Sequence, residues 1–130
     1  MVKEDVTVTV KESSVRDVTF SLMPDDGGRV VHVTGIMNGC LKFIHVSFTA
    51  VFTGRLRLYS DDLNYLLLDN GNIHENMIYT PKIRNTDENG LQLDQYSDYY
   101  LNDKLRFEFT GCVPNSKIEV VIRYANTDNG

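Results

Sequence analysis

LRFEFTGCVPNSKIEVVIRY, residues 105–124, decides the fold class. Within it Leu105, Phe107 and Phe109 alternate with Arg106 and Glu108. Further on, Ile118, Val120, Ile122 and Tyr124 alternate with Glu119, Val121 and Arg123. A period of two sends successive side chains to opposite faces of an extended chain, so each run reads as a half-buried β-strand. The residues between them, 111–116, include Gly111, Pro114 and Asn115, which is the chemistry of a chain reversal.

The same period recurs upstream. Val6, Val8 and Val10 alternate with Thr7 and Thr9; Val18, Phe20 and Leu22 with Thr19 and Ser21; Val31 and Val33 flank His32. Phe52, Gly54, Leu56 and Leu58 share one face, with Arg55 and Arg57 on the other. Between residues 40 and 48 the apolar phase begins on Leu41 and Phe43, then moves to Ile44, Val46 and Phe48. One extra residue flips every later side chain, so this slip predicts a β-bulge. Seven strands follow from alternation alone. Residues 24–28, PDDGG, predict a hairpin turn, and Asn38-Gly39 a tighter one. All three prolines, Pro24, Pro81 and Pro114, fall at or beside breaks, where a missing N–H removes no ladder bond.

The middle reads less simply. Asp61 or Asp62 suits the cap of a short helix carrying Leu63, Leu66 and Leu67, while Leu66, Leu67 and Leu68 suit a buried strand equally well. Residues 70–95 are rich in Asn, Asp and Gly and read as a long connection holding one or two brief strands. These features predict an all-β fold: one antiparallel β-sandwich over residues 1–130, jelly-roll or Greek-key-like, with one long central connection. A meander barrel with a loop insertion is the alternative. Residues 1–5 and 125–130 read as polar arms. Composition agrees, with 14 valines, 7 tyrosines and 6 phenylalanines against two alanines, Ala50 and Ala125. A chain of 130 residues is long enough to bury a core without staples.

The net charge of -5, from 13 basic and 18 acidic residues, argues against a general nucleic-acid binder, whose affinity rests on clustered cations. Lys3, Glu4 and Asp5 stand where a signal peptide would be apolar, and no run reaches the roughly 18 apolar residues of a membrane span. Neither is expected. Cys40 and Cys112 are expected to be free thiols.

Motifs for chemistry are few. No serine lies in a Gly-x-Ser-x-Gly elbow, no glycine pattern cradles a nucleotide, and neither cysteine adjoins a histidine. His32, His45 and His74 are scattered and read as structural. Asp69-Asn70-Gly71-Asn72 with Glu75, and Asp87-Glu88-Asn89-Gly90, cluster oxygen ligands as calcium requires. Ile73 breaks the ligand spacing of the first, and these residue types also dominate ordinary turns. The expectation is therefore no catalytic residue, no metal site and no cofactor. Arg55, Arg57, Lys104 and Arg106 would form a basic strip if their strands pair, with ion pairing to Glu108 and Glu119 as the expected use. Tyr96, Tyr99 and Tyr100 cluster in QYSDYYLND, residues 95–103, and suit a binding face; the plainer reading is rings covering sheet edges.

Residues 100–124, YLNDKLRFEFTGCVPNSKIEVVIRY, resemble the closing hairpin of small β-sandwich head-decoration (cement) proteins of tailed bacteriophages and related virion accessories. The resemblance implies a non-enzymatic protein that acts through contacts with copies of itself or other virion proteins. It also implies a homo-oligomer and a place in a virion assembled in the host cytoplasm. It carries over no functional residue. The preferred contact is the first strand, with Val6, Val8 and Val10 entering a partner, followed by Tyr96, Tyr99 and Tyr100; the plainer alternative is that this strand completes the protein's own sheet. Carbohydrate-binding modules end in similar strands, so a glycan- or ligand-binding module is the alternative.

Overall fold

The computed structural model describes residues 6–10, 15–49, 54–73 and 76–125. Residues 1–5, 126–130, Phe52, His74 and Glu75, and the side chains of Thr7, Thr9, Val10, Asn72, Ile83 and Arg84, lie outside that description, and with them the two polar arms apart from Ala125, which ends the last strand. The chain runs through twelve strands: β1 (Val6–Val10), β2 (Val15–Leu22), β3 (Val30–Val33), β4 (Met37–Phe48), β5 (Gly54–Ser60) and β6 (Tyr65–Ile73), then β7 (Met77–Tyr79), β8 (Lys82–Thr86), β9 (Gln92–Asp98), β10 (Tyr100–Asp103), β11 (Leu105–Thr110) and β12 (Ile118–Ala125). No helix occurs among the described residues. All seven strands expected from alternation are present, but β3 has the opposite phase, with His32 buried against Phe20 and Val31 and Val33 exposed.

Pairing follows one rule. β2 pairs with β12, β3 with β11, β4 with β7 and β5 with β6, each antiparallel. The strands thus pair from the outside inward, as in one long hairpin rolled so that successive pairs alternate between two sheets. That is a jelly roll. One sheet has the order β1-β2-β12-β4-β10, with β7 beside the far half of β4. The other has the order β3-β11-β5-β6, and β8 and β9 form a separate hairpin.

The core lies between the sheets. Phe20, Leu22, Ile44, Val46, Ile118, Val120 and Ile122 of the first sheet face Leu56, Leu58, Leu105, Phe107 and Phe109 of the second, all essentially buried. Phe20 binds the layers together, its ring 5.4 Å from Phe107 edge-on and 4.2 Å from His32. Burying one such side chain is worth roughly 1.5–3 kcal/mol. A polar lock crosses the same gap: Ser60 donates to Asp103, which also accepts from the backbone N–H of Asp62 at 3.0 Å and of Lys104 at 2.6 Å.

Several turn readings need correction. Residues 111–116 join β11 to β12, which lie in different sheets, so the segment is an arch and not a hairpin turn. The same holds for residues 24–28, between β2 and β3. The two arches pack on each other: the Cys112 N–H donates to the Gly28 carbonyl at 3.0 Å, and the Asn115 N–H to that of Pro24 at 3.2 Å. Turn residues signal that a chain reverses, not that the flanking strands bond to each other. Asn38-Gly39 is no turn at all but lies inside β4. The helix considered near residues 61–68 is instead a tight turn at 61–64 followed by β6. Asn64 holds φ of 53° there, a left-handed conformation that asparagine tolerates. The long central connection is itself built of strands, with β7 to β10 lying between β6 and β11.

The bulge lies just before the slip read from the sequence, so Phe43 turns outward beneath Arg123 and does not share the face of Leu41. Arg123 faces Phe43 while Tyr124 faces Leu41, so Lys42 is the extra residue and Leu41 and Ile44 both point inward.

Candidate binding surfaces

The outer face of the second sheet is charged but paired. β5 and β11 are neighbours, as the strip reading required, and acidic groups interleave the cations. Asp69 on β6 accepts two bonds from Arg55, at 2.8 and 2.7 Å, and lies 3.7 Å from Arg57. Arg106 bonds Glu108 at 3.0 Å and Asp61 at 3.1 Å, and its guanidinium stacks 4.4 Å from the centre of the Tyr59 ring. The Arg55 guanidinium holds the Asp69 carboxyl below its ordinary range despite some opposing desolvation. Glu119 lies on the other sheet, 3.7 Å from Lys117. This face is a solvated ion-pair ladder.

The oxygen-rich stretches have local uses. The Asp69 carboxylate is engaged by Arg55, and Asp87 accepts from the N–H groups of Asn89 and Leu91, both at 2.9 Å, in the β8–β9 turn. Cys40 and Cys112 are free and buried. Burial pushes the Cys112 thiol up to about 11. It also raises Cys40, whose Sγ lies 3.4 Å from an Asp98 oxygen. Both are held protonated at neutral pH, the opposite of what a nucleophilic thiol needs.

The first strand supplies the clearest uncovered apolar surface. Val6 pairs with Phe20 and Val8 with Val18, and residues directly opposite in a ladder share a face. Val6 and Val8 therefore extend the core-facing side of the sheet. Yet they are 56% and 58% exposed, whereas Phe20 and Val18 are buried. The contact of Phe20 with His32 places β3, the edge of the opposing sheet, over β2. Among the described residues the second layer stops there, and β1 overhangs it as a ledge whose outer edge no described strand pairs.

The three clustered tyrosines do not form one platform. Tyr96 and Tyr100 are 61% and 64% exposed. Tyr100 pairs with Cys40 on the outer side of the first sheet. Tyr99 turns the other way and packs half-buried against the core. Burial raises its phenol above the ordinary range, with the Ser60 hydroxyl beside it acting in the opposite direction. Its neighbour is Tyr65 at the start of β6, and together they line a cleft of about 280 Å³ against the β8–β9 hairpin. Sequence reasoning grouped the tyrosines by adjacency and so missed Tyr65, which meets Tyr99 only because β6 and β10 occupy the same edge of the sandwich. The run Leu66-Leu67-Leu68, too apolar for simple alternation, was the available signal: Leu58 faces Leu68 and Tyr59 faces Leu66, so Leu67 is a bulge.

No protein-family model matches the chain, and no curated protein matches it in sequence. Among solved structures, a mutant of the carbohydrate-binding module CBM29-2 in complex with cellulohexaose is 10% identical. That alignment covers 96% of this chain and 79% of the module, with a TM-score of 0.35. A likeness at that level carries no inference about ligand or partner.

Proposed function

We propose that this is a non-enzymatic structural domain that works by protein–protein contact, through the β1 ledge. The observation that carries the reading is the pair Val6 and Val8, aligned with the core yet more than half exposed on a strand with an open edge. An open edge offers backbone donors and acceptors to another strand, and flanking apolar side chains add affinity. The simplest occupant is β1 of a second copy. Antiparallel pairing across a two-fold axis would extend the sheet from one molecule into the next and place the valines of each over the other. Completing their burial would contribute roughly half of the 1.5–3 kcal/mol per side chain that full burial gives.

A virion accessory of the capsid-decoration type is the finer form of this proposal. It draws support from the jelly roll, an architecture that capsid and lectin domains share. Fold alone does not assign function, so the test addresses the contact. Sedimentation of the wild type up to about 100 μM should show a dimer or larger species. Val6→Lys together with Val8→Lys should give a monomer with a near-unchanged melting temperature. A wild type that stays monomeric throughout, or an oligomer indifferent to both lysines, would refute the ledge as the contact.

A further inference from the structure

At the edge of the sandwich opposite the ledge, a cleft lies between β6, the β8–β9 hairpin and the link that precedes β10. Tyr65 and Leu67 of β6 form one wall, Lys82, Thr86 and Gln92 of the β8–β9 hairpin the other, and Tyr99 lies between them. The hairpin is fixed in place. Lys82 is ion-paired with Asp98, and Asp98 in turn lies against the Cys40 thiol on β4. Tyr65 is 57% exposed although it pairs with the buried Ser60 of β5, so its ring stands at the mouth of the cleft.

From this arrangement we propose that the cleft binds a neutral, hydroxyl-rich ring, the terminal sugar of a glycan. Three features select that class. Two tyrosines supply flat apolar surfaces with polar tips, suited to a ligand with an apolar C–H face and a polar rim. The facing hairpin presents a hydroxyl, an amide and an ammonium, which can donate to or accept from ring hydroxyls. Lys82, the one cation among the described lining residues, is paired with Asp98, so that described lining offers no uncompensated charge to an anionic ligand. The volume of about 280 Å³ lies just below the usual range for ligand pockets, about 300–1,000 Å³, which fits one ring and not an extended chain. Because the cleft and the ledge lie on opposite edges, a molecule joined to its neighbour through β1 keeps its cleft open.

The test is a panel of neutral oligosaccharides of gluco, xylo, manno and galacto configuration, screened as an array and followed by titration calorimetry. At least one should bind with Kd of about 1 mM or tighter. Tyr65→Ala should weaken that binding about tenfold, corresponding to about 1.4 kcal/mol, whereas Tyr65→Phe keeps the ring and stays within about threefold. Thr86→Ala, on the opposite wall, should weaken it severalfold. Tyr96→Ala, outside the cleft, should leave it unchanged. Thermal melts of each variant establish that it is folded, and Tyr65 is exposed enough that its loss should not perturb the core. The proposal is overturned if no neutral sugar binds at about 10 mM, if binding survives both cleft substitutions, or if only charged glycans or peptides bind.

Discussion

Replacing Gly28 with alanine tests how the two arches close one end of the sandwich. Gly28 holds φ of 73°, and a Cβ built there would lie 2.4 Å from the backbone oxygen of Cys112 in the neighbouring arch. Two costs add. A left-handed conformation costs an L-residue roughly 1–2 kcal/mol relative to glycine. Forcing a carbon against a backbone carbonyl must spread the arches, which belongs with overpacking at roughly 1–3 kcal/mol. It also strains the bond by which the Cys112 N–H donates to the Gly28 carbonyl. Gly90 is the matched control: φ is 85°, and nothing lies within 4 Å of its built Cβ. Gly90→Ala should therefore incur only the conformational cost, about 1–2 kcal/mol. Urea unfolding followed by far-ultraviolet circular dichroism measures both. Gly28→Ala should lose about 2–5 kcal/mol and melt at least about 5 °C below Gly90→Ala. Equal effects would show that conformation alone matters at Gly28 and that the arches do not bear on each other.

Asp103 should make the domain acid-sensitive. Burial pushes its carboxyl up, but hydrogen bonds from Ser60 and from the Lys104 and Asp62 N–H groups outweigh that and hold it below 3.8. A depressed carboxyl stabilises fully above its unfolded value and stops doing so as pH falls through the folded one. Urea midpoints should thus fall from about pH 4 downward, and Asp103→Asn should flatten that limb while costing roughly 1.5–3 kcal/mol at pH 7; an unchanged acid limb would contradict the lock. Cys40 and Cys112 should resist a thiol reagent at pH 8 in the native protein and both react once it is denatured without reductant. Failure of both to react after denaturation would mean a bridge the structure lacks. The circular dichroism spectrum should be of β type with no helical contribution from residues 61–68, and a clear helical signal would overturn the turn-then-strand assignment there.

Strands were legible where several apolar side chains line the buried face and the other face is wet; β10, whose buried face carries only Leu101 and Asp103, was not. β2, β5, β11 and β12 alternate because the core demands it, and even the insertion of Lys42 left its trace as a shifted phase. β8 and β9 left none. They form a two-stranded flap whose described side chains are largely exposed, so no burial constraint imposes a period on them. Pairing was legible only in part, because the rolled order joins segments far apart in the chain while the turn residues 24–28 and 111–116 look the same whether they close a hairpin or an arch. The candidate cleft was hidden for the same reason: Tyr65 lies on β6 and Tyr99 in the link between β9 and β10, and the two meet only through the roll.

The position of β12 between β2 and β4 has a consequence for how the chain acquires its structure during synthesis. Arg123 meets Asp17 at a sequence separation of 106, while the β5–β6 tip closes over a four-residue turn. Local closure is entropically easy and distant closure slow. The tip should therefore order first and the roll zip outward. The inner edges of β2 and β4 stay unpaired until the ribosome has released β12. During that interval two valine- and phenylalanine-bearing strands present open edges to other nascent chains, the circumstance in which aggregation competes with folding. Expression yield should accordingly depend on chaperone supply and growth temperature more than the equilibrium stability of the finished domain would suggest.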